Sequence, residues 1–241
     1  MTKMRSATAD FLGDPNFPSK AIANRSKRIA YFQSLFKQYS RLHFTRYSDR
    51  PIAIAGLERR LQKAFETQGA FEIFTDGDKP KEERGLFHRS LLWQRSNEIK
   101  QEEKKIEEQT CGVYGWSWLA YKGGIDHFDL PFRSVDWEFD EIIPQWTRGQ
   151  GLSTEPAIIA TVREFNARGR LSGDMELTYD TQYTSAKEPK LQAKKMHYVL
   201  LVGQKRATTG RGETVYKRLG DGFMLGRFIS FDTPGTRAHL C

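Results

Sequence analysis

The feature that most constrains this chain is a change of hydrophobic period part-way along it. Up to about residue 96, apolar residues recur every three or four positions; from about Gly112 they recur every second one. Ile29, Phe32, Phe36 and Tyr39 follow one another at steps of three, four and three, the face of a helix starting near Ser26. A second helix opens in "SDRPIAIAGLERRLQKAF". Asp49 suits the N-cap, Pro51 is tolerated in the first turn, and Ile54, Leu57, Leu61 and Phe65 form the buried stripe. The stretch 84–95 predicts a third, shorter helix ending near Trp93. Beyond it, Phe128, Leu130 and Phe132 alternate with Asp129, Pro131 and Arg133, and Val135, Trp137 and Phe139 alternate with Asp136, Glu138 and Asp140. Further strands are predicted over 157–165, 174–180, 196–203, 213–219 and 222–231, with 203–213 as a long basic hairpin turn. Helices first and strands after, without βαβ alternation, predict an α+β fold whose N-terminal helices pack on a mostly antiparallel sheet. The divisions are a helical region over 1–96, a charged variable linker over 97–111 and a β-rich region over 112–241, read as one continuous domain.

Two tryptophans lie one residue apart in "GVYGWSWLAYKGG". In a strand that spacing would place Trp116 and Trp118 on one face, with Ser117 on the other. The residues favour the packed seam of a sheet over an aromatic platform for a ligand.

The chain of 241 residues carries a net charge of +8. Its basic excess peaks between Pro15 and Ser48, where Lys20, Arg25, Lys27, Arg28, Lys37, Arg41 and Arg46 stand without a single acid. Arg25, Lys27, Arg28, Lys37 and Arg41 make a basic contact face that suits nucleic acid, an anionic membrane surface or an acidic protein. The aromatics interleaved with them, Tyr31, Phe32, Phe36 and Tyr39, belong to the apolar face of the helix. Nucleic acid is therefore disfavoured, and a protein partner is preferred. Two cysteines, Cys111 and Cys241, cannot build a disulfide framework and fit a reducing compartment. The longest compact apolar run, "YVLLV", is far short of the roughly 18 residues of a membrane span. A cytoplasmic location is expected, with the nucleus as the alternative.

The most tempting catalytic residues are Asp126, His127, Asp129, Asp136, Glu138 and Asp140, which could ligate a metal or supply paired carboxylates. A small hydrolase or metal-dependent enzyme using Asp126, His127 and Asp136 is the alternative reading. Against it, Asp136, Glu138 and Asp140 occupy every second position of an alternating strand, which makes them its solvent face. "RGQG" and "TGRGE" lack the strand–loop–helix context and the Gly-Lys-Ser/Thr ending of a phosphate loop. The histidines, at 43, 88, 127, 197 and 239, are scattered, and no Gly-x-Ser-x-Gly elbow is present. No catalytic, cofactor-binding or metal-binding residue is expected.

The stretch "YSRLHFTRYSDRPIAIAGLERRL" resembles the fungal heterokaryon-incompatibility (HET) family. Tyr39, Ser40, Phe44, Thr45, Asp49, Arg50, Ala53, Ile54 and Gly56 match a Tyr-Ser block leading into an Asp-(Arg/Lys)-x-x-Ala-(Ile/Leu)-x-Gly helix. Gly85, Leu86, Phe87 and Leu91-Leu92-Trp93 match the next block, and Trp116-Ser117-Trp118 a later Trp-Ser-Trp strand. "YVLLV" and "VYKRLGDGFM" are similar to the closing β-segment, and "FLGDPNFPS" to a connecting segment in one branch. Tyr114 and Gly115 replace the usual Pro-Ser/Thr before Trp116. The resemblance implies the C-terminal portion of a protein of non-self recognition and programmed cell death. It implies structural roles for Asp49, Arg50, Gly56, Trp93, Trp116, Ser117 and Trp118. It also implies an N-terminal module similar to TIR-type folds, absent here, so that Met1 reads as the start of a truncated gene model or a shortened paralogue. The apolar face of the helix near residues 26–39 is then expected to need that module, or another partner, as cover.

Overall fold

The computed structural model describes residues 25–76, 79–80, 84–96, 113–130, 132, 135, 137, 141–144, 146, 158–165, 196–208 and 214–241. The predicted strand over 174–180 and the whole of the charged linker lie outside these residues.

The change of period appears as an α+β architecture. Helix α1 (Arg25–Ser40) and helix α2 (Arg50–Phe65) flank a short 3-10 turn, Tyr47–Asp49. On α1, Ile29, Phe32 and Phe36 are buried together with Leu35, and on α2 all four stripe residues are buried. Asp49 stands at the N-cap position but makes no capping hydrogen bond through its side chain. Its backbone is already helical (φ −80°, ψ −14°) where a capping residue is usually extended. The apolar face of α1 does not wait for an outside partner. Phe32 meets Phe36, Phe65 and Phe74 edge-on at ring separations of 4.3, 5.9 and 4.7 Å. The expectation of an uncovered face is therefore corrected: this chain covers it.

After α2 the two-residue strands β1 (Gly69–Ala70) and β2 (Ile73–Phe74) form a hairpin. The third helix is shorter than predicted. Helix α3 covers only Leu86–Leu91, because Leu92 leaves helical geometry and Trp93–Arg95 becomes strand β3. Antiparallel pairing with β4 (Ile125–His127), in the register Trp93↔His127 and Arg95↔Ile125, overrides the helical pattern there. Strand β4 also lies before the alternating residues 128–132. Phe128, Leu130 and Phe132 are not in a strand, although Leu130 is buried.

The larger sheet runs β5 (Ile142–Pro144), β6 (Ile158–Val162), β9 (Thr236–Leu240), β8 (Thr214–Leu225), β7 (Met196–Thr208). It is mostly antiparallel as expected; β8 and β9 are parallel. The long turn predicted at 203–213 is strand through Thr208, and 209–213 lie outside the described residues. Nor do Gly220, Asp221 and Gly222 divide two strands. They pair with Leu201, Leu200 and Val199 inside one continuous β8, next to a register shift at Leu201/Val202. The sheet curls: residues of β5 and β6 at one end and of β7 at the other line a common cavity of about 110 Å³.

Two apolar clusters result. The first joins α1, α2, Phe74, Trp93, Trp118 and Ile125; the second joins Ile73, α3, Trp116, Leu130, Trp137 and the sheet. Among the described residues, no helix is long and apolar enough to cross a membrane.

Candidate functional site

Part of the set of residues that carried the family resemblance gathers in the interior around Arg50 and the tryptophans, while Thr45, Asp49, Ala53 and Gly56 are exposed. Arg50, the first residue of α2, is fully buried. Its guanidinium donates to the carbonyls of Tyr121 (2.7 Å), Ser40 (2.9 Å) and Gly123 (3.3 Å), and its Cζ lies 4.6 Å from the centre of the Trp118 ring. Buried cations require such dense satisfaction. Tyr39 closes the same knot by donating to the Arg50 carbonyl at 2.8 Å. Burial raises its phenol to about 12, with Arg50 opposing. Ser40 Oγ accepts from the Ile125 amide at 2.8 Å, tying the end of α1 to β4.

Trp116-Ser117-Trp118 is not a strand. The Ser117 amide donates to the Tyr114 carbonyl, and Ser117 Oγ accepts from the Leu119 amide at 3.1 Å, starting a 3-10 turn over Trp118–Ala120. Turn chemistry of the serine wins over the period-two spacing. The indoles therefore leave in different directions. Trp118 packs with Phe36 and Tyr39, Trp116 with Phe71, Tyr114 and Trp146. Neither indole is exposed, so the expectation of packing holds while that of a shared strand face fails. Trp93 joins the two clusters by donating Nε1 to the Trp116 carbonyl at 3.0 Å. Gly85 also has a physical reason: its φ is +112°, and an added Cβ would stand 2.6 Å from Trp137 Nε1. Gly56 has none among the described residues, where a Cβ would meet nothing within 4 Å.

The basic face is partly spent inside the molecule. Arg25 pairs with Asp76 at 3.5 Å. Lys37 and Arg41 both pair with Asp126, and Arg41 also donates to Ser96 Oγ and the Ile125 carbonyl. Lys27 is exposed; the Arg28 side chain lies outside the described residues. Asp126 is thereby occupied. Burial works against its ionisation, but Lys37, Ser96 and Arg41 together hold its carboxyl below the usual value. Burial pushes the neighbouring His127 imidazole down to about 4, so it is neutral near pH 7. As successive strand residues, Asp126 and His127 point to opposite faces and do not form a working pair. Asp136, Glu138 and Asp140 lie outside the described residues, and Asp129 follows β4 in a non-strand segment. Among the described residues, no three His, Cys, Asp or Glu side chains gather in a way that could hold a metal ion.

Three features escaped the sequence pattern. Asp76 accepts from the Leu86 amide at 2.7 Å and the Phe87 amide at 3.4 Å, supplying from a distance the cap α3 lacks locally. Arg218, buried in β8, lies 3.7 Å from the Trp93 ring centre, donates to the Trp93 carbonyl and pairs with Asp221 at 3.0 Å. Burial outweighs Arg218 and lifts the Asp221 carboxyl to about 6. Finally, the β1–β2 hairpin turns on Phe71 and Glu72, both left-handed at φ 49° and 67°. That is the backbone of a type I′ turn, normally given to Asn-Gly, and costs non-glycine residues about 1 kcal/mol each. No Asn, Asp or Gly marks these two positions, so the pattern had no signal to offer. The chain matches no protein-family model, no curated protein and no solved structure among those with which it was compared.

Proposed function

We propose that this chain is the non-catalytic C-terminal portion of a fungal heterokaryon-incompatibility protein, serving non-self recognition and programmed cell death as a scaffold for a protein partner. That partner is the N-terminal module the resemblance implies. The observation that supports this reading is the convergence of the motif blocks. Tyr39, Ser40, Arg50 and Trp118 bond or pack to one another, Trp93 bonds to Trp116, and Ser117 between the two indoles bonds to Phe71 and Leu119. Buried in this way, they shape a support and present no group to a substrate. An intracellular location, cytoplasmic or nuclear, belongs to the same proposal. The enzyme reading loses its strongest dyad, because Asp126 is held by two cations and His127 faces away from it.

The test is expression in fungal hyphae of the chain alone, of the chain fused behind a HET module, and of the same fusion carrying Trp118→Ala. Hyphae should survive the first, die with the second and be spared by the third. Death caused by the chain alone, or dinucleotide cleavage by the purified chain, would overturn the proposal.

A further inference from the structure

The turn between β1 and β2 combines three features that are each costly. Its two central residues are non-glycine at positive φ. Glu72, one of them, is 1% exposed, and among the described residues neither of its carboxyl oxygens has a hydrogen-bond partner. A second acid lies beside it: Glu58 of α2 accepts from the Glu72 amide through Oε1. Among the described residues, burial and Glu58 are what act on the Glu72 carboxyl. Tyr39 of α1 faces it as an uncharged phenol. The cation near that phenol, Arg50, is directed at three carbonyls. Arg59 and Gln62 act on Glu58.

We infer that the Phe71–Glu72 turn is a proton-operated latch, closed when Glu72 is protonated and sprung when it ionises beside Glu58. A buried carboxyl without partners can be accommodated only in its neutral form. Once it loses its proton, desolvation and the like charge of Glu58 both drive it towards water, and the strained turn has an extended or right-handed backbone to relax into. The direction is consistent with burial and Glu58 both raising the Glu72 carboxyl well above the usual range. A group so raised contributes stability that is complete below the ordinary carboxyl value and lost as pH rises towards the folded value.

The latch has a defined readout because Phe71 sits in the same turn. Its ring packs on Tyr114 and Trp116, and its carbonyl accepts from Ser117 Oγ at 2.7 Å. Opening the turn withdraws both contacts and uncovers Trp116 at the junction of the two clusters. A change of proton concentration thus becomes a change of exposed aromatic surface.

The test is acrylamide quenching of tryptophan emission and melting temperature from about pH 5 to about pH 9, for the wild type, Glu72→Gln and Glu58→Gln. Asp76 and Asp221 are also raised, so the comparison is between variants and not between pH values alone. In the wild type, quenching should rise and melting temperature fall as pH increases. Glu72→Gln should lack that component of both changes. Glu58→Gln, which removes the like charge but leaves the latch, should move the midpoint to lower pH. Equal pH dependence in the wild type and Glu72→Gln overturns the inference. So does an unchanged midpoint in Glu58→Gln, which decides the matter should Glu72→Gln fail to fold.

Discussion

The helical half and the sheet half each bury an arginine over a tryptophan, and they satisfy it differently. Arg50 lies over Trp118 and donates to three backbone carbonyls. Arg218 lies over Trp93, donates to one carbonyl and leans on Asp221, three residues away on the same strand. The first arrangement contains no group that titrates near neutrality. The second contains a carboxyl lifted to about 6 by burial in spite of the arginine beside it. Carbonyl dipoles hold a buried cation at every pH, whereas a buried carboxylate must first be desolvated. The helical nucleus should accordingly be fixed, and the β8 pair adjustable.

The largest expected effect breaks the first half of that contrast. Arg50→Met keeps much of the aliphatic bulk but leaves the carbonyls of Ser40, Tyr121 and Gly123 without their donor. At about 1–3 kcal/mol for each one left unsatisfied, the loss should be about 3 kcal/mol or more by urea unfolding, and independent of pH. A loss under 1 kcal/mol, on the order of a surface substitution, would show that water replaces the guanidinium and that the knot is loose.

Asp221→Asn sharpens the other half. A carboxyl raised to about 6 gives stability present below the ordinary value and lost as pH rises through about 6. The wild type should lose roughly 1–3 kcal/mol on this account between about pH 4 and pH 7, and Asp221→Asn should not. Identical melting-temperature profiles for the two proteins would remove the distinction between the arginines.

Two carboxylates beside helix starts extend the comparison to smaller effects. Asp76→Ala removes the acceptor for the Leu86 and Phe87 amides and should cost about 1–2 kcal/mol in thermal unfolding. Asp49→Ala, at the position the sequence marks as a cap but with no capping bond, should cost less than about 0.5 kcal/mol. The reverse order would mean that Asp49 caps α2 in solution.

These two aspartates also show what the sequence made legible. Asp49 was readable because helix signals are local: a capping residue, a proline and a stripe at steps of three and four place α2 without reference to the rest of the chain. Asp76 was not, because its cap reaches ten residues along the chain to α3. The same distinction separates α1, whose buried face was plain, from Trp93, whose helical pattern yields to a strand partner some thirty residues later. For Trp116 and Trp118, the spacing carried the burial but not the geometry, since one serine hydroxyl turns the chain between them. Of the site, the membership of Arg50 and the tryptophans in a structural group came from the motif resemblance. Their convergence on one knot, the occupation of Asp126 by Lys37 and Arg41, and the Glu58–Glu72 pair depend on contacts between elements that no single period encodes.

Hydrogen exchange of the Trp116 and Trp118 indole N–H groups tests most directly whether the motif residues form an interior nucleus. Both indoles are fully buried, in two clusters joined through Trp93. Below the pH at which the Glu72 latch opens, both N–H groups should exchange only through global unfolding, with an opening free energy equal to that from urea denaturation. Exchange of either indole at the rate of a free one, while core amides stay protected, would contradict the account and place that tryptophan on an open face.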